Sequence, residues 1–473
     1  MRRFFFNPTT KRTFMNSLLA GIMFRMHERM LGRNTFKVLS QLRRSQYWTR
    51  EQIQKLRLAR LRQLVRDAHD HCPFWRRVMI ELGIDPGDIR DIKDIAAFGL
   101  LSREDIRQHR EEMVWRHEGR GVTIATTSGS TNARLQFYTS ASRESHITAA
   151  RMRGHGWVGV EPGDKELYFW AAPLEVNTQD RLRQVRDWLR NDAFSNGLLL
   201  TPQRVRRYFS QWMKWKPRCI FGYVSSFAMM VRLANQCDID LSLLARRGLR
   251  AIVTTSELLG DHRSIISQAF GVPVYDSFGL REGGLIAHDC YHCTMHTNDE
   301  QLILETINPN TLEPTTCEGE LVVTMLMSNA MPIIRYRTGD LVSLSEPSCA
   351  CGLSLGSICM RGGRIMESLI TTEGNIISAV SLLYTCKAIP ALRQLQARQE
   401  RLGEIRLLVA LEDDAPHDTM KRVEHAMRKR LDSQDKLILQ QVDEIPPVAS
   451  GKQMVVISQV ARDMFASTNP AVR

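Results

Sequence analysis

Two short groups of cysteine and histidine constrain the fold of this chain more than any other feature. Cys290 and His296 have five residues between them, and Cys349 and Cys351 follow much later with one residue between them. Two close-spaced pairs of soft ligands are typical of a closed, tetrahedral zinc site. Cys293 is an alternative to Cys290 as the first ligand, because spacing alone does not distinguish them. The sequence therefore predicts that two distant turns meet around one structural Zn²⁺.

Length and cysteine content bound the class of protein. At 473 residues the chain is too long for one hydrophobic core, so we expect two or more domains. Its ten cysteines are too few for a disulfide scaffold in a chain of this size. We therefore expect a reduced, cytoplasmic protein.

Most of the net charge lies near the N-terminus. Residues 1–70 contain 16 Lys and Arg against 4 Asp and Glu, a net charge of +12 out of +13 for the whole chain. The apolar run at residues 14–24 is too short to span a bilayer, and it predicts an amphipathic surface helix. A solvated helical face explains the charge best, with a weak contact to an anionic membrane as the alternative. No nucleic-acid motif accompanies the charge, so we expect no nucleic acid partner.

Strand and helix patterns alternate through the middle of the chain. Buried strands are predicted at 167–170, 219–223, 249–254 and 272–275, with helices beginning at Ser225 and at Thr255. This alternation is typical of an α/β fold in which helices cover a mostly parallel sheet. Ligands of such sheets bind beyond the carboxyl ends of the strands, where the turns at Gly222, Ser256 and Phe278 should lie.

A loop rich in hydroxyl groups follows the predicted strand at 122–125. Such a loop can bind phosphate oxygens through backbone N–H groups and hydroxyls, although it lacks the Gly-Lys-Ser/Thr ending of a Walker A loop. The candidate phosphate-binding residues are Thr127, Ser128, Gly129, Ser130 and Thr131. Alone, the loop is a weak signal, since Ser/Thr-rich surface turns are common.

Two further motifs give the chain a family resemblance. Phe278-Gly279-Leu280-Arg281-Glu282 and Tyr336-Arg337-Thr338-Gly339-Asp340 resemble two core motifs of the adenylate-forming enzymes. The Cys/His set resembles that of the phenylacetate-CoA ligase branch, some members of which are tied to capsular polysaccharide synthesis. The loop at 127–131 then resembles the family's phosphate loop, although Asn132 stands where a glycine is usual.

The resemblance implies roles for these residues. Phe278 would stack on adenine with Gly279 beside it, and Ser256 and Glu257 would lie near the same base. Glu282 would hold the Mg²⁺ that bridges the phosphates of ATP, a role suited to a hard carboxylate ligand. Asp340 would accept hydrogen bonds from both ribose hydroxyls.

The C-terminal part carries two more motifs of the same family. Gly362-Gly363-Arg364 resembles the hinge between a large domain and a small mobile α+β domain, and Arg364 would contact phosphate or ribose. Met366 departs from the family, because an acidic hinge residue is usual there. Lys452 resembles the catalytic lysine of adenylation. The predicted boundaries are a basic N-terminal arm at 1–48, a large domain at 49–362 and a small lid domain at 363–473.

Taken together, these motifs predict an AMP-forming ligase. It would convert a small carboxylic acid to an acyl-adenylate with Mg-ATP, and pass the acyl group to a thiol of CoA or of an acyl carrier protein. Amide formation with an amine and adenylyl transfer are alternatives, and a homodimer is compatible with the sequence. A rival from another class is a zinc-stabilised binding protein without catalysis. Every candidate site residue lies beyond residue 120, so we expect the N-terminal arm to be dispensable for chemistry.

Overall fold

The computed structural model describes most of the chain. The described residues are 17–118, 121–126, 135–170, 187–197, 200–257, 259–260, 262–308, 311–316, 318–360, 368–379, 382, 389, 391–446 and 454–461, with the side chains of 341, 376 and 378 left out.

Helices dominate the first hundred described residues and recur between strands later. The α-helices are α1 (Ser17–Met30), α2 (Thr35–Ser45), α3 (Arg50–His71), α4 (Pro73–Leu82), α5 (Arg103–His109), α6 (Ala141–Trp157), α7 (Pro202–Trp215), α8 (Val224–Gln236), α9 (Leu243–Arg246), α10 (His262–Phe270) and α11 (Thr419–Arg428). The break between α3 and α4 falls at Cys72, because Pro73 cannot continue α3.

The strands of the described residues form four sheets. They are β1 (Val122–Thr126), β2 (Gln136–Ser140), β3 (Glu166–Trp170), β4 (Asp192–Asn196), β5 (Cys219–Tyr223), β6 (Ala251–Thr255), β7 (Val274–Leu280), β8 (Gly284–Asp289), β9 (Met295–Thr297), β10 (Leu302–Ile307), β11 (Gly319–Met325), β12 (Ile333–Ser345), β13 (Ser357–Cys359), β14 (Ser368–Ile370), β15 (Ile376–Ser378), β16 (Leu392–Arg401), β17 (Glu404–Leu411), β18 (Lys436–Gln441) and β19 (Val456–Ser458).

One mixed sheet organises the large domain. Its order is β10-β11-β12-β13-β9-β8-β7-β6-β5-β3-β4. Neighbours from β4 to β7 pair in parallel, with helices in the connections β5–α8–β6 and β6–α10–β7. From β7 to β10 the neighbours pair antiparallel, because short turns join β7 to β8 and β8 to β9. The predicted α/β fold with a parallel sheet is confirmed.

Apolar side chains cover both faces of the parallel strands. Phe169 and Ile252 pack with α7, α8 and α10 on one face, while Phe221 and Val253 pack on the other with residues just after α6. Residues of one strand alternate between the two faces, as the pleat requires. Since both faces are covered, the turns at the carboxyl edge are where this half of the sheet can present polar groups to a ligand.

One predicted helix differs from the structure. The helix expected from Thr255 to Phe270 spans only His262–Phe270, and Ser256 and Glu257 lie in a turn after β6. Ser256 has a φ of 69°, in the left-handed region that an α-helix does not use. The turn therefore extends the carboxyl edge of the sheet before α10 begins.

The described part of the predicted N-terminal arm is packed into the large domain. Phe24 of α1 and Leu39 and Leu42 of α2 are buried in one apolar cluster with Ala149 and Met152 of α6. Residues 17–48 are therefore packed on the large domain and are not a separate arm, whereas their dispensability for chemistry stays a prediction. The positive charge near the N-terminus made this packing hard to predict, because the arginines of α1 and α2 lie beside the apolar residues that pack on α6.

The predicted surface helix exists as α1. None of the described helices is both long and apolar enough to cross a membrane.

A separate small domain follows residue 367. Its sheet has the order β18-β17-β16-β19, and α11 covers it with Val423 and Met427 in the shared apolar cluster. This confirms the predicted small α+β domain at the C-terminal end. On the large domain, α8 contacts β15, and Arg232 forms an ion pair of 2.7 Å with Glu373.

Candidate active site and metal centre

The turn after β7 carries Glu282 and is held from behind by an arginine. Arg143 of α6 is buried, and its guanidinium donates hydrogen bonds to the carbonyl oxygens of Arg281 (2.7 Å) and Glu282 (3.0 Å). Burial lowers the pKa of Arg143 to about 10, so the side chain is still charged at neutral pH. The turn is therefore fixed by two charge-assisted hydrogen bonds.

The side chain of Glu282 contacts the second predicted motif. The hydroxyl of Tyr336, in β12, donates a buried hydrogen bond of 2.9 Å to Oε1 of Glu282. Glu282 itself is 7% exposed. The structure thus brings together the segments 278–282 and 336–340, which are more than 50 residues apart in sequence.

A third predicted segment approaches the same turn. The guanidinium of Arg281 lies 3.4 Å from the carbonyl oxygen of Thr126, at the end of β1. The candidate phosphate loop begins at the next residue, Thr127, and its residues Thr127, Ser128, Gly129, Ser130 and Thr131 lie outside the described residues. The point where this loop leaves β1 is therefore beside the turn that carries Glu282.

Asp340 lies in β12 at a position that is almost fully buried. Its backbone N–H donates to the hydroxyl of Thr338 (3.1 Å), which donates to the carbonyl oxygen of Leu321 (2.9 Å). Gly339 has a φ of 71°, and its N–H donates to the carboxylate of Glu320 (3.0 Å). The backbone around Asp340 is thus held in an irregular conformation that glycine permits.

Glu257 links two neighbouring turns at the carboxyl edge of the sheet. Its carboxylate accepts hydrogen bonds from the backbone N–H (2.6 Å) and the hydroxyl (2.9 Å) of Ser225, near the beginning of α8. An anionic group is favourable there because of the positive end of the helix dipole. Ser256 and Glu257 therefore lie where ligands of parallel sheets bind, with the Glu257 carboxylate bonded to α8.

The structure gives less information on the other candidate nucleotide-binding residues. Phe278 is buried in the apolar core of the large domain, and Gly279 follows it within β7 rather than in the predicted glycine-rich turn. The turn begins after Leu280. Arg364 and Lys452 lie outside the described residues. Contact of any of these four with a nucleotide remains a prediction.

The four predicted zinc ligands converge at one place. The ligand atoms of Cys290, His296, Cys349 and Cys351 all lie within 4.8 Å of one another. Cys290 stands in the turn between β8 and β9, and Cys349 and Cys351 lie in the loop between β12 and β13. Cys293 is exposed and is not in the group, with a φ of 59° that turns the chain back toward β9. Between the two alternatives, the structure brings Cys290 into the cluster.

Hydrogen bonds around the cluster prepare His296 and Cys290 as ligands. Nδ1 of His296 lies 3.1 Å from the carbonyl oxygen of Leu355, so its proton is on Nδ1 and the lone pair of Nε2 faces Cys351 at 3.1 Å. The backbone N–H of His292 points to Sγ of Cys290 (3.4 Å). Both features orient ligands without any contribution from an ion.

The spacing of the ligand atoms fits a tetrahedral zinc ion. Two thiolates at about 2.3 Å from Zn²⁺ in tetrahedral geometry would have sulfur atoms about 3.8 Å apart. The sulfur atoms of Cys290 and Cys349 are 3.7 Å apart. Burial raises the pKa of the Cys290 thiol to about 12, so a cation that stabilises its thiolate would be needed for it to ionise near neutral pH.

Two residues that contact the Glu282 turn were not predicted from the sequence. Tyr336 lay within a recognised motif but had no assigned role, and only its contact with Glu282 reveals one. Arg143 had no signal at all, because a single arginine in a helix normally faces solvent.

The chain is similar in sequence to phenylacetate-coenzyme A ligases and to protein CapK. A model of the CapK C-terminal domain matches residues 369–459. A phenylacetate-coenzyme A ligase of Thermus thermophilus is 25% identical over 400 residues, covering 77% of this chain and 82% of that protein. Protein CapK of Staphylococcus aureus is 21% identical over 373 residues, covering 76% of this chain and 79% of its own length.

The fold is also similar to solved structures. The crystal structure of 2-hydroxyisobutyryl-CoA ligase in complex with 2-HIB-AMP and CoA aligns with a TM-score of 0.61 at 19% identity, covering 90% of this chain and 94% of that chain. The same enzyme in its postadenylation state, in complex with 2-HIB-AMP, aligns with a TM-score of 0.56. At these identities the comparison shows the shared fold.

Proposed function

We propose that this chain, whose likeness to the phenylacetate-CoA ligase branch of the adenylate-forming enzymes is confirmed by its relatives, is an AMP-forming acid–thiol ligase. One observation carries the proposal beyond resemblance. Thr126, Arg281, Glu282 and Tyr336 are linked by contacts around the turn after β7. The beginning of the phosphate loop, the acidic turn and the second motif thus meet as a single ATP site requires.

The proposed reaction has two steps at this site. An oxygen of the substrate carboxylate attacks the α-phosphorus of ATP, and the bond from that phosphorus to the bridging oxygen breaks, so that pyrophosphate leaves with the electron pair. The sulfur of a thiol, having lost its proton to solvent, then attacks the acyl carbon. The bond from this carbon to the phosphate oxygen breaks, and AMP leaves.

Each candidate residue has a place in this scheme. Glu282 would hold Mg²⁺, which would supply positive charge close to the phosphate oxygens of ATP. Residues 127–131 donate hydrogen bonds to those oxygens, and Asp340 binds the ribose. Tyr336 orients Glu282, and Arg143 fixes the backbone of the same turn. Lys452 and Arg364 come from the small-domain side to the α-phosphate.

We propose a structural Zn²⁺ at Cys290, His296, Cys349 and Cys351. Four protein ligands complete a tetrahedral shell and leave no position for a reacting water. The cluster joins the β8–β9 turn to the loop before β13, two segments close to each other only in the fold. The Zn²⁺ would hold these two segments together.

We also propose the acceptor thiol, the location of the protein and its oligomeric state. The thiol is that of CoA or of the phosphopantetheine arm of an acyl carrier protein. The protein acts in the cytoplasm, as a monomer or a homodimer, and contacts the inner membrane face peripherally. Residues 363–473 are the lid that brings Lys452 to the site.

The test is pyrophosphate release from Mg-ATP with a panel of aryl, fatty and amino acids, with and without CoA. We expect at least one acid to support release, and CoA to convert the product to a thioester. If pyrophosphate is released with an acid and an amine, but CoA yields no thioester, the acceptor is an amine and not a thiol. No release with any acid would contradict the proposal and favour a zinc-stabilised binding protein without catalysis.

A further inference from the structure

Helix α1 has two apolar faces, of which the fold uses one. Ala20 and Phe24 face the protein core and are buried. On the opposite side, apolar residues recur every fourth position and are exposed to solvent: Leu18 (75%), Ile22 (48%), Met26 (54%) and Met30 (81%). Residues four apart lie on one side of a helix, so these four form a continuous stripe along α1. A helix that is apolar on both sides needs an apolar partner on each.

The core-facing side holds α1 firmly against the large domain. The guanidinium of Arg190 lies 4.3 Å from the centre of the Phe24 ring. Glu28, which is buried, pairs with Arg33 at 3.5 Å and accepts a hydrogen bond from Thr35. The stripe therefore cannot turn inward without breaking these contacts, so in the part of the chain that the structure describes it stays at the surface.

The charges beside the stripe are positive. Arg25 and Arg29 are exposed on α1, and Arg33 and Lys37 follow in the next segment. The one acid of α1 is Glu28, and it is buried on the core side. The outer side of α1 thus combines an apolar stripe with basic residues and has no exposed acid. This is the composition of helices that lie in the interface of an anionic membrane.

We infer that α1 docks flat on an anionic bilayer, with Leu18, Ile22, Met26 and Met30 inserted among the acyl chains. This inference deepens the proposed peripheral localisation by assigning it to one helix face. Arg25 and Arg29 contact the anionic headgroups at the edge of the stripe. The membrane is thus bound by side chains that the fold of the large domain leaves exposed.

Charge makes a bilayer a better partner for this surface than a second copy of the chain. A two-fold dimer through α1 would place the same patch on both sides of the interface. The arginines beside each stripe would then face the arginines of the partner, and like charges across an interface are unfavourable. Anionic lipid supplies both the apolar partner and the counter-charge.

The test compares vesicle binding of full-length proteins in which charge is changed equally. In Leu18→Glu/Ile22→Glu the stripe loses two members. The matched control is Ile80→Glu/Ile265→Glu, which changes two other exposed isoleucines and adds the same two negative charges. Co-sedimentation is measured with phosphatidylglycerol vesicles and with phosphatidylcholine vesicles, at low and high salt, and pyrophosphate release without lipid is measured for each protein.

We expect the wild type to bind the anionic vesicles at low salt and the neutral ones weakly. The stripe variant should bind at least about tenfold more weakly, while the control stays within about twofold. Arg25→Ser/Arg29→Ser should lose roughly 30-fold, since each basic residue contributes about 1 kcal/mol at an anionic surface. Pyrophosphate release should be the same in all these proteins.

Three results would overturn the inference. The first is a wild type that ignores anionic vesicles at low salt. The second is a stripe variant that binds as well as its control. The third is a wild-type dimer that the stripe variant dissociates, without vesicle binding by either, which would assign the stripe to a second copy. Since the pyrophosphate assay contains no lipid, a failure of the membrane inference is separate from a failure of the proposed chemistry.

Discussion

The Cys/His cluster and the candidate nucleotide site differ in how they are assembled. Cys290 comes from the turn between β8 and β9, Cys349 and Cys351 come from the loop between β12 and β13, and His296 comes from β9. The ligand atoms of all four are within 4.8 Å of one another. The nucleotide site draws on segments from Thr126 to Asp340, and its contacts depend on residues such as Arg143 that no motif contains. A metal-type site can thus be defined by a few unmistakable side chains, whereas a nucleotide site also needs residues that hold those side chains in place.

This difference predicts that substitutions in the two regions have different effects on stability and activity. Damage to the cluster should reduce stability, because metal binding energy acts as folding energy. Damage to the nucleotide site should reduce activity more than stability.

The largest effect is expected from Cys349→Ser. Loss of one of four ligands should reduce bound zinc to well under one per chain and lower the free energy of unfolding by about 4 kcal/mol or more. Elemental analysis and thermal melting measure both quantities. Cys293→Ser is the control, since Cys293 is exposed and outside the cluster, and it should change neither. A Cys349→Ser variant with the melting temperature of the wild type would contradict a structural role for the cluster.

Glu282→Gln should have the opposite profile. The amide oxygen can still accept the hydrogen bond from Tyr336, so the melting temperature should stay close to that of the wild type. Its lost charge should reduce pyrophosphate release by about 10²–10³, the range seen when one preorganised electrostatic group is removed. Glu313→Gln, at an exposed position, should leave release unchanged. Equal loss in both variants, or none in either, would contradict the role of Glu282.

A smaller effect is expected from Tyr336→Phe. The variant leaves a buried carboxylate oxygen of Glu282 without its donor, which costs about 1–3 kcal/mol. We expect pyrophosphate release to fall about tenfold and the Mg²⁺ concentration for half-maximal release to rise, because Glu282 is less well oriented. Tyr291→Phe, at an exposed tyrosine, is the control. A fall in stability without any change in Mg²⁺ dependence would make Tyr336 a purely structural residue.

Much of the fold was predictable because local patterns agreed with it. The strand at Cys219–Tyr223 and the break at Pro73 follow from composition and backbone chemistry. The left-handed turn at Ser256 was not predictable, because its neighbours are compatible with a helix start. The packing of α1 and α2 on α6 was also missed, since the charge of the arginines concealed the buried Phe24 and Leu39.

Some parts of the candidate site were predictable from the sequence, and others were not. Cys349 and Cys351 were clear from residue type, but only the fold distinguishes Cys290 from Cys293. The meeting of Glu282 with Tyr336 could be expected only through the family resemblance. Physical pattern alone does not fix which strands of a mixed sheet become neighbours.

The most direct test of the central claim separates the two half-reactions in Lys452→Ala. Lys452 should offset the repulsion between the carboxylate and the α-phosphate as they approach, and this repulsion is absent when a thiol attacks a preformed acyl-adenylate. We predict that ATP-dependent pyrophosphate release falls by about 10²–10³, while consumption of synthetic acyl-adenylate by CoA stays close to the wild-type rate. Equal loss in both half-reactions, or no loss in the first, would contradict the account.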